Sequence, residues 1–184
     1  MKQFILGRTG INVGAIGFGA LQIATKLNDR DSTRLVHYGL DAGITLFDTA
    51  LSYFDSEEKL GRALKGPRRS RAVIVTKAGA TDPKTFAQNI DKSLRRLQTD
   101  YIDIYMIHSL DRAAQFKQVF APHGLLHVMD TAKERGKIRY VGFSGHVPEV
   151  ALRAIQTGAF DAILYPLSFM NREARSKGVL AAAK

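Results

Sequence analysis

The chain has 184 residues, of which 45% are hydrophobic and 24% are charged, and this composition is typical of one globular domain rather than of a disordered or fibrous protein. It contains no cysteine, which excludes disulfides, thiolate catalysis and cysteine-bound metals within these residues. No apolar run approaches the ~20 residues that cross a bilayer, and the start lacks a signal-peptide core, so we expect a soluble cytoplasmic protein without a membrane partner.

The net charge is +10, from 27 basic and 17 acidic residues. A charge of this sign suits a polyanionic partner or an anionic substrate, but also a basic surface without a specific partner. No predicted element carries a basic stripe with interleaved aromatic residues, so we expect no nucleic-acid partner. The densest basic run, from Lys65 to Arg71, surrounds Gly66-Pro67 and predicts a solvated turn.

Short apolar runs alternate with stretches of helical spacing along the chain. The first feature is a predicted β-hairpin, with strands at residues 4–6 and 11–13 and a turn at Thr9-Gly10. Six later runs are apolar on both faces, which is typical of buried parallel strands. They are residues 15–18, 44–47, 72–75, 102–107, 138–143 and 160–164.

The first predicted helix follows the run at 15–18. Asp31 or Ser32 is expected to cap it, and Leu35 and Leu40 are expected to point inward. A glycine just past the last apolar turn is expected to end this helix and two later ones, at Gly43, Gly136 and Gly158.

Residues 83–97 show the clearest helical pattern. Four apolar residues at i, i+4, i+8 and i+11 form one stripe, namely Phe86, Ile90, Leu94 and Leu97. Asp82 is suited to cap this helix, and Pro83 suits its first turn.

The regular alternation predicts parallel strands joined by right-handed helical crossovers. A doubly wound sheet and a (β/α)8 TIM barrel both remain possible on this basis. A complete barrel takes ~250 residues, and six strand–helix units in 184 residues match that pace. We therefore predict one domain over residues 1–184, an incomplete TIM barrel that stops before strands seven and eight. Residues 171–184 are expected to form a sixth helix.

Three consecutive predicted strands are apolar until a polar, ionisable residue at the end, namely Asp48, Lys77 and His108. The carboxyl ends of barrel strands meet at one rim, where active sites are built. Tyr53, five residues after Asp48, can lean over the same mouth. A buried ion pair with a hydrogen-bonded histidine is the plainer interpretation, but three such strands in succession favour a catalytic site.

These residues lie within motifs that resemble the aldo-keto reductase family. The motifs cover nearly the whole chain: LGRTGINVGAIGFGAL, DAGITLFDTALSYFDSEEKLGRAL, VIVTK, LQTDYIDIYMIH, GKIRYVGFSGH and FDAILYPLSFMN. The resemblance implies an oxidoreductase with a catalytic tetrad of Asp48, Tyr53, Lys77 and His108. It also implies NADPH, or else NADH, as hydride donor and an aldehyde or ketone as substrate.

Each residue of such a tetrad has a role that follows from its charge and acidity. Hydride attack builds negative charge on the carbonyl oxygen, which must receive a proton, and a phenol such as Tyr53 has a pKa of ~10. The ammonium of Lys77 is expected to lower that pKa, and Asp48 is expected to hold Lys77 and keep it charged. His108 is expected to donate a hydrogen bond to the carbonyl oxygen.

The resemblance also implies a set of cofactor-binding residues, namely Gly19, Ala20, Asp48, Ser144 and Gly145. The family often has asparagine where Gly145 stands and glutamine where Leu164 stands, for binding of the nicotinamide amide. In these departures the chain is similar to a divergent branch of the family whose members carry an iron–sulfur module after the barrel. Such a module would lie beyond Lys184 here.

Other functions and sites remain open. One alternative is a cofactor-sensing or scaffolding subunit of the same fold, and another is an inactive, truncated remnant. Six strands in an open sheet leave two unpaired edges, so self-association is expected to be possible. His123 and His127 have a helical spacing but no third ligand, and we expect no metal site. His146 is expected either to face the mouth or to lie in a loop.

Overall fold

The computed structural model describes residues 1–184, and its centre is a six-stranded parallel sheet. The strands follow one another in chain order: β3 (Gly17–Gly19), β4 (Leu46–Asp48), β5 (Val73–Gly79), β6 (Ile102–His108), β7 (Ile138–Ser144) and β8 (Ala162–Leu164). A doubly wound sheet would reverse its strand order at one point, and this sheet does not. The strands curl into a half-barrel, which confirms the predicted incomplete (β/α)8 fold.

The helices cover the convex side of the sheet and shield a continuous apolar core. They are α1 (Leu21–Lys26), α2 (Asp29–Asp41), α3 (Ser56–Ala63), α4 (Pro83–Leu97), α5 (Ala113–Phe120), α6 (Leu125–Glu134), α7 (Pro148–Gln156), α8 (Glu173–Ser176) and α9 (Val179–Ala182). None of them combines the length and the apolar composition that crossing a membrane requires.

The prediction for α4 is confirmed in its bounds and its cap. The Asp82 carboxylate accepts a hydrogen bond from the backbone N–H of Thr85 at 3.0 Å. The apolar stripe faces the core, with Phe86, Ile90 and Leu97 buried. Local capping and amphipathic spacing agree here with the tertiary environment, which is why the sequence alone predicted the bounds and the cap of this helix.

The predicted start of α2 is wrong by about one turn. Asn28 is the N-cap, and its side-chain oxygen accepts from the Asp31 N–H at 2.9 Å, while Ser32 lies inside the helix. Leu35 is 43% exposed instead of facing inward, because Val36 and Leu40, four residues apart, form the core-facing stripe of the helix. The helix does end at Gly43, whose φ of +92° suits glycine.

An antiparallel hairpin precedes the sheet, as predicted, with strands β1 (Gln3–Ile5) and β2 (Asn12–Gly14). Between them a 3-10 turn, Gly7–Thr9, replaces the predicted tight turn. Leu6 and Ile11 pack against apolar residues of the concave face of the sheet, including Val75. The hairpin therefore covers the amino end of the half-barrel and leaves the carboxyl end open.

The basic run before β5 is only partly the solvated turn that its composition predicted. Arg68 is exposed, but Arg69 donates to the Asp103 carboxylate at 2.8 Å and to the Tyr101 carbonyl at 2.9 Å. The guanidinium of Arg69 lies 4.0 Å from the centre of the Tyr101 ring, and that of Arg139 lies 5.0 Å from it on the same rim. Some of the excess basic residues therefore stabilise the rim at the amino-terminal end of the sheet.

The end of the chain departs from the single helix that was predicted. Residues 171–184 form α8 and α9 rather than one helix, since Gly178 takes a φ of +82° between them. The rings of His123 and His127 lie 5.2 Å apart, and no third metal-ligating side chain joins them.

Candidate active site

The alternation of side chains along the strands places one set of polar residues on the concave face. Leu46, Val75 and Met106 belong to the apolar cluster on that face, so the residues two positions later on the same strands also face it. These residues are Asp48, Lys77 and His108. Asp48 and His108 end their strands, as predicted, whereas β5 continues past Lys77 to Gly79.

Asp48 and Lys77 form a close ion pair. The Lys77 Nζ lies 2.8 Å from each carboxylate oxygen of Asp48 and donates to the Thr49 carbonyl at 2.6 Å. The Lys77 side chain is only 1% exposed, and burial lowers its pKa while the charge of Asp48 opposes that change. Burial likewise raises the pKa of Asp48, and the charge of Lys77 opposes it. Each charge therefore opposes the effect of burial on the other group.

The loop after β4 brings Tyr53 to this pair. It first continues alongside β5, since Leu51 donates its N–H to the Lys77 carbonyl at 2.9 Å, and it then turns where Tyr53 donates its N–H to the Ala50 carbonyl. From the opposite side, Arg96 of α4 donates to the Leu51 carbonyl at 3.1 Å. Nothing in the sequence indicated this role for Arg96, since a basic residue late in a helix is common on a surface.

The four predicted tetrad residues come together at the carboxyl end. The Lys77 ammonium lies 5.0 Å from the centre of the Tyr53 ring. The His108 ring packs edge-on against the Tyr53 ring, with centroids 5.7 Å apart. An amine, a phenol and an imidazole thus share one small volume, with the Asp48 carboxylate beside the amine.

The expected effect of Lys77 on the phenol is not found in this structure. The pKa of Tyr53 is raised rather than lowered, first by burial and then by the negative charge of Asp48. The Lys77 ammonium lies over the Tyr53 ring and donates its hydrogen bonds to Asp48 and Thr49. These partners largely offset the effect of its positive charge on the Tyr53 hydroxyl.

The pKa of His108 is lowered from its ordinary value, which favours the neutral imidazole near pH 7. Burial lowers its pKa most, and the positive charges of Lys77 and His146 lower it further, against the opposing effect of Asp111. The Ser52 hydroxyl lies 3.5 Å from His108 Nδ1. If Nδ1 accepts from that hydroxyl, the ring carries its hydrogen on Nε2, and Nε2 is then a donor.

The predicted cofactor-binding residues differ in their surroundings. Ser144 and Gly19 lie on the concave face: the Ser144 hydroxyl accepts from the Ser109 N–H at 2.9 Å, and a Cβ on Gly19 would meet no atom within 4 Å. The Ala20 side chain is fully buried in the core, so only its backbone is available. Gly145 fits a tight turn, where a Cβ would lie 3.2 Å from the Leu110 carbonyl oxygen.

A cavity of about 250 Å³ opens at this end of the half-barrel. Its lining residues are Tyr53, Lys77, His108, Ser144, His146, Leu164, Tyr165 and Pro166. His146 lies in the loop after β7 and also lines the mouth, so both positions that the sequence left open apply. Tyr165 was not expected there; its position directly after β8 was the signal, because residues after strand ends reach this rim.

Comparisons with known proteins agree with this geometry. Residues 15–184 match the Aldo/keto reductase family, and the chain belongs to that family. It is 34% identical over 157 residues to a 6-dehydroglucose reductase from Novosphingobium aromaticivorans, covering 76% of this chain and 50% of that protein. It is 30% identical over 175 residues to an L-galactose dehydrogenase from Arabidopsis thaliana, covering 86% of this chain and 54% of that protein.

A solved structure gives the same result for the fold. The chain superimposes on a Pseudomonas aeruginosa protein described as an aldo-keto reductase with a TM-score of 0.85 and 29% identity, covering 99% of this chain and 75% of that one. The chain spans about half the length of the curated relatives that it matches.

Proposed function

We propose that this chain carries the catalytic residues of an NAD(P)H-dependent oxidoreductase that reduces an aldehyde or ketone to an alcohol. One observation supports this most strongly: a buried, paired ammonium at Lys77 lies against the Tyr53 ring, beside the neutral imidazole of His108, in a cavity open to solvent. A purely structural ion pair would not need a phenol and an imidazole at its open side.

Tyr53 is the proposed general acid. Its raised pKa keeps the proton on the phenol at neutral pH, so the acid form is always present. The alkoxide that forms on the carbonyl oxygen is a stronger base than phenolate, and it draws the proton across. Lys77 then stabilises the phenolate that remains, while Asp48 holds the ammonium in place.

His108 is the proposed donor to the carbonyl oxygen. A neutral imidazole donates one hydrogen bond without adding a charge that would repel Lys77. Tyr53 and His108 thereby fix the oxygen between them, and the carbonyl carbon is oriented toward the cofactor side of the cavity.

NADPH is the proposed cofactor, with NADH as the second choice. A reduced nicotinamide supplies the hydride when it is bound. Gly19, Ala20 and Asp48 would border its ribose side, and Ser144 and Gly145 would border its amide. The NADPH preference is supported by the family and by the net charge of +10 rather than by a phosphate site.

A hydroxylated carbonyl compound is the proposed substrate class. Two of the relatives are named for sugar substrates, 6-dehydroglucose and L-galactose. The cavity is lined by hydroxyl and imidazole groups as well as by Leu164 and Pro166, which suits a small polar molecule.

A cofactor-sensing subunit with little turnover is the second candidate. It is favoured by the absence of an amide side chain at Gly145 and Leu164, which would weaken the hold on nicotinamide. The iron–sulfur module and self-association through the edges of β3 and β8 stay predictions.

The two candidates are separated by an assay on the full-length polypeptide that the gene encodes. NADPH oxidation is followed with a panel of short aldehydes and ketones, and NADPH binding is measured separately by fluorescence. Turnover that depends on the carbonyl compound supports the reductase. Tight NADPH binding without turnover of any carbonyl compound would support the sensing subunit instead.

A further inference from the structure

A second imidazole borders the active-site cavity, and the tetrad does not account for it. His146 follows β7 by two residues, and its ring lines the same cavity as Tyr53 and His108. Its position is fixed by contacts from two neighbouring loops rather than by packing, since its side chain is 61% exposed.

Asp111, in the loop after β6, holds this ring. One carboxylate oxygen of Asp111 lies 2.9 Å from His146 Nδ1, and the other accepts from the backbone N–H groups of His146 and Val147. Burial acts to raise the pKa of Asp111, but these hydrogen bonds hold it below its usual value, which favours the carboxylate. Because a carboxylate only accepts, the Nδ1 that faces it is the donor of this contact. The Tyr165 hydroxyl donates to the His146 carbonyl at 2.9 Å and ties the loop to β8.

The remaining ring nitrogen of His146, Nε2, makes no hydrogen bond within the protein. It is a polar atom on a preoriented ring at the mouth of a site, which is the arrangement that a specificity contact needs. We infer that His146, oriented by Asp111, binds a hydroxyl group of the substrate next to the carbonyl that Tyr53 and His108 act on. This inference rests on the proposed reductase function and names a specificity residue for it.

The charges of the cavity favour a hydroxyl group over a carboxylate as the ligand of Nε2. The Lys77 ammonium already has Asp48 as an anionic neighbour, and the Asp111 carboxylate lies beside the His146 ring. A substrate carboxylate would therefore meet no free cation. A hydroxyl group both donates and accepts, so it can pair with Nε2 whether that nitrogen is protonated or not.

The test compares two three-carbon aldehydes that differ only in their hydroxyl groups, D-glyceraldehyde and propionaldehyde. In the full-length protein, His146→Phe should lower kcat/KM for D-glyceraldehyde ~10-fold more than kcat/KM for propionaldehyde, which is the usual worth of one hydrogen bond. His146→Gln keeps a polar side chain and should recover part of the difference. His127→Phe, an exposed histidine on α6, is the matched control and should leave the ratio as in the wild type.

Asp111→Ala tests the positioning role, because it removes the carboxylate and leaves the imidazole. It should shift the ratio between the two aldehydes in the same direction as His146→Phe. Equal losses for both aldehydes in His146→Phe would overturn the inference, since they would indicate a role in folding or in cofactor binding.

Failure of the proposed reductase function would give a different result from failure of the His146 inference. If the wild type turned over neither aldehyde, the reductase proposal would fail, and binding of D-glyceraldehyde would then be measured by saturation-transfer NMR. Signal in the wild type that is lost in His146→Phe would support the contact without catalysis. Equal signal in the two proteins, or none in either, would overturn it.

Discussion

The ammonium nitrogen of Lys77 lies 2.8 Å from both carboxylate oxygens of Asp48, although the two residues belong to different strands and are separated by a helix and a turn. Neither charge would be stable alone at this depth, because an unpaired buried charge is costly. Loss of this ion pair should therefore lower both the stability of the fold and the rate of turnover.

Lys77→Met should remove the ammonium and leave the Asp48 carboxylate without a partner. We expect carbonyl turnover to fall by about 100-fold or more, the range for loss of a group that assists proton transfer. In the wild type, burial lowers the pKa of Lys77, so activity should decline with rising pH below its ordinary pKa of ~10.5. The variant should lack this alkaline decline, as measured by kcat/KM from pH 6 to 10.

Lys92→Met, on the exposed side of α4, is the control for the loss of one positive charge. An unchanged pH profile in Lys77→Met would contradict the pairing of phenol and ammonium.

Tyr53→Phe should remove the proposed acid and little else. We expect turnover to fall by about 100-fold to 10,000-fold, while NADPH affinity measured by fluorescence changes little. Tyr38→Phe removes the hydroxyl of a residue that is 75% exposed on α2, and it should behave as the wild type. Equal turnover in Tyr53→Phe would remove Tyr53 from the acid role.

The depressed pKa of His108 should also appear in the stability of the fold. A group with a lower pKa in the folded state stabilises the fold above its unfolded pKa, here ~6.5, and loses that contribution as the pH falls through the folded value. NMR titration of the His108 ring protons should give a midpoint below ~6.5. The urea midpoint should fall between pH 7 and 5, and less so in His108→Gln. A ring midpoint above the ordinary value would show that His108 is charged in the site.

Arg69→Met should destabilise the fold without touching the cavity. It leaves the Asp103 carboxylate, which is 3% exposed, without its main partner, and loss of one member of such a pair costs ~3–5 kcal/mol when fully buried. Because Arg69 is slightly exposed and Arg139 still contacts Asp103, we expect about 2–3 kcal/mol in urea unfolding. Arg68→Met, on the exposed side of the same turn, should stay within ~0.5 kcal/mol of the wild type.

Much of the fold follows from local patterns in the sequence. The run of apolar strands with helices between them predicted a sequential parallel sheet, and the cap at Asp82 predicted the start of α4. The start of α2 was wrong because Asn28, Asp31 and Ser32 are all good capping residues, and only tertiary packing selects among them.

The candidate site divides in the same way. Asp48, Lys77 and His108 could be placed at one rim because each follows the apolar part of its strand and the carboxyl ends of neighbouring parallel strands meet there. The Asp111–His146 contact could not, because it joins two irregular loops whose path depends on the folded neighbours. The raised pKa of Tyr53 was missed as well, because it depends on how deeply the folded site buries the phenol and on the nearby charge of Asp48.

The strict alternation along β5 makes the site sensitive to chain length. Thr76 points to the helices and Lys77 to the cavity, so one residue inserted before Thr76 would turn Thr76 to the cavity and Lys77 to the helices. The amine would then enter the apolar layer beneath α3 and α4, and a hydroxyl would face the phenol. Changes of sequence length in this family should therefore collect in the loops at the rim, where they reshape the entrance and leave the count of residues within each strand untouched.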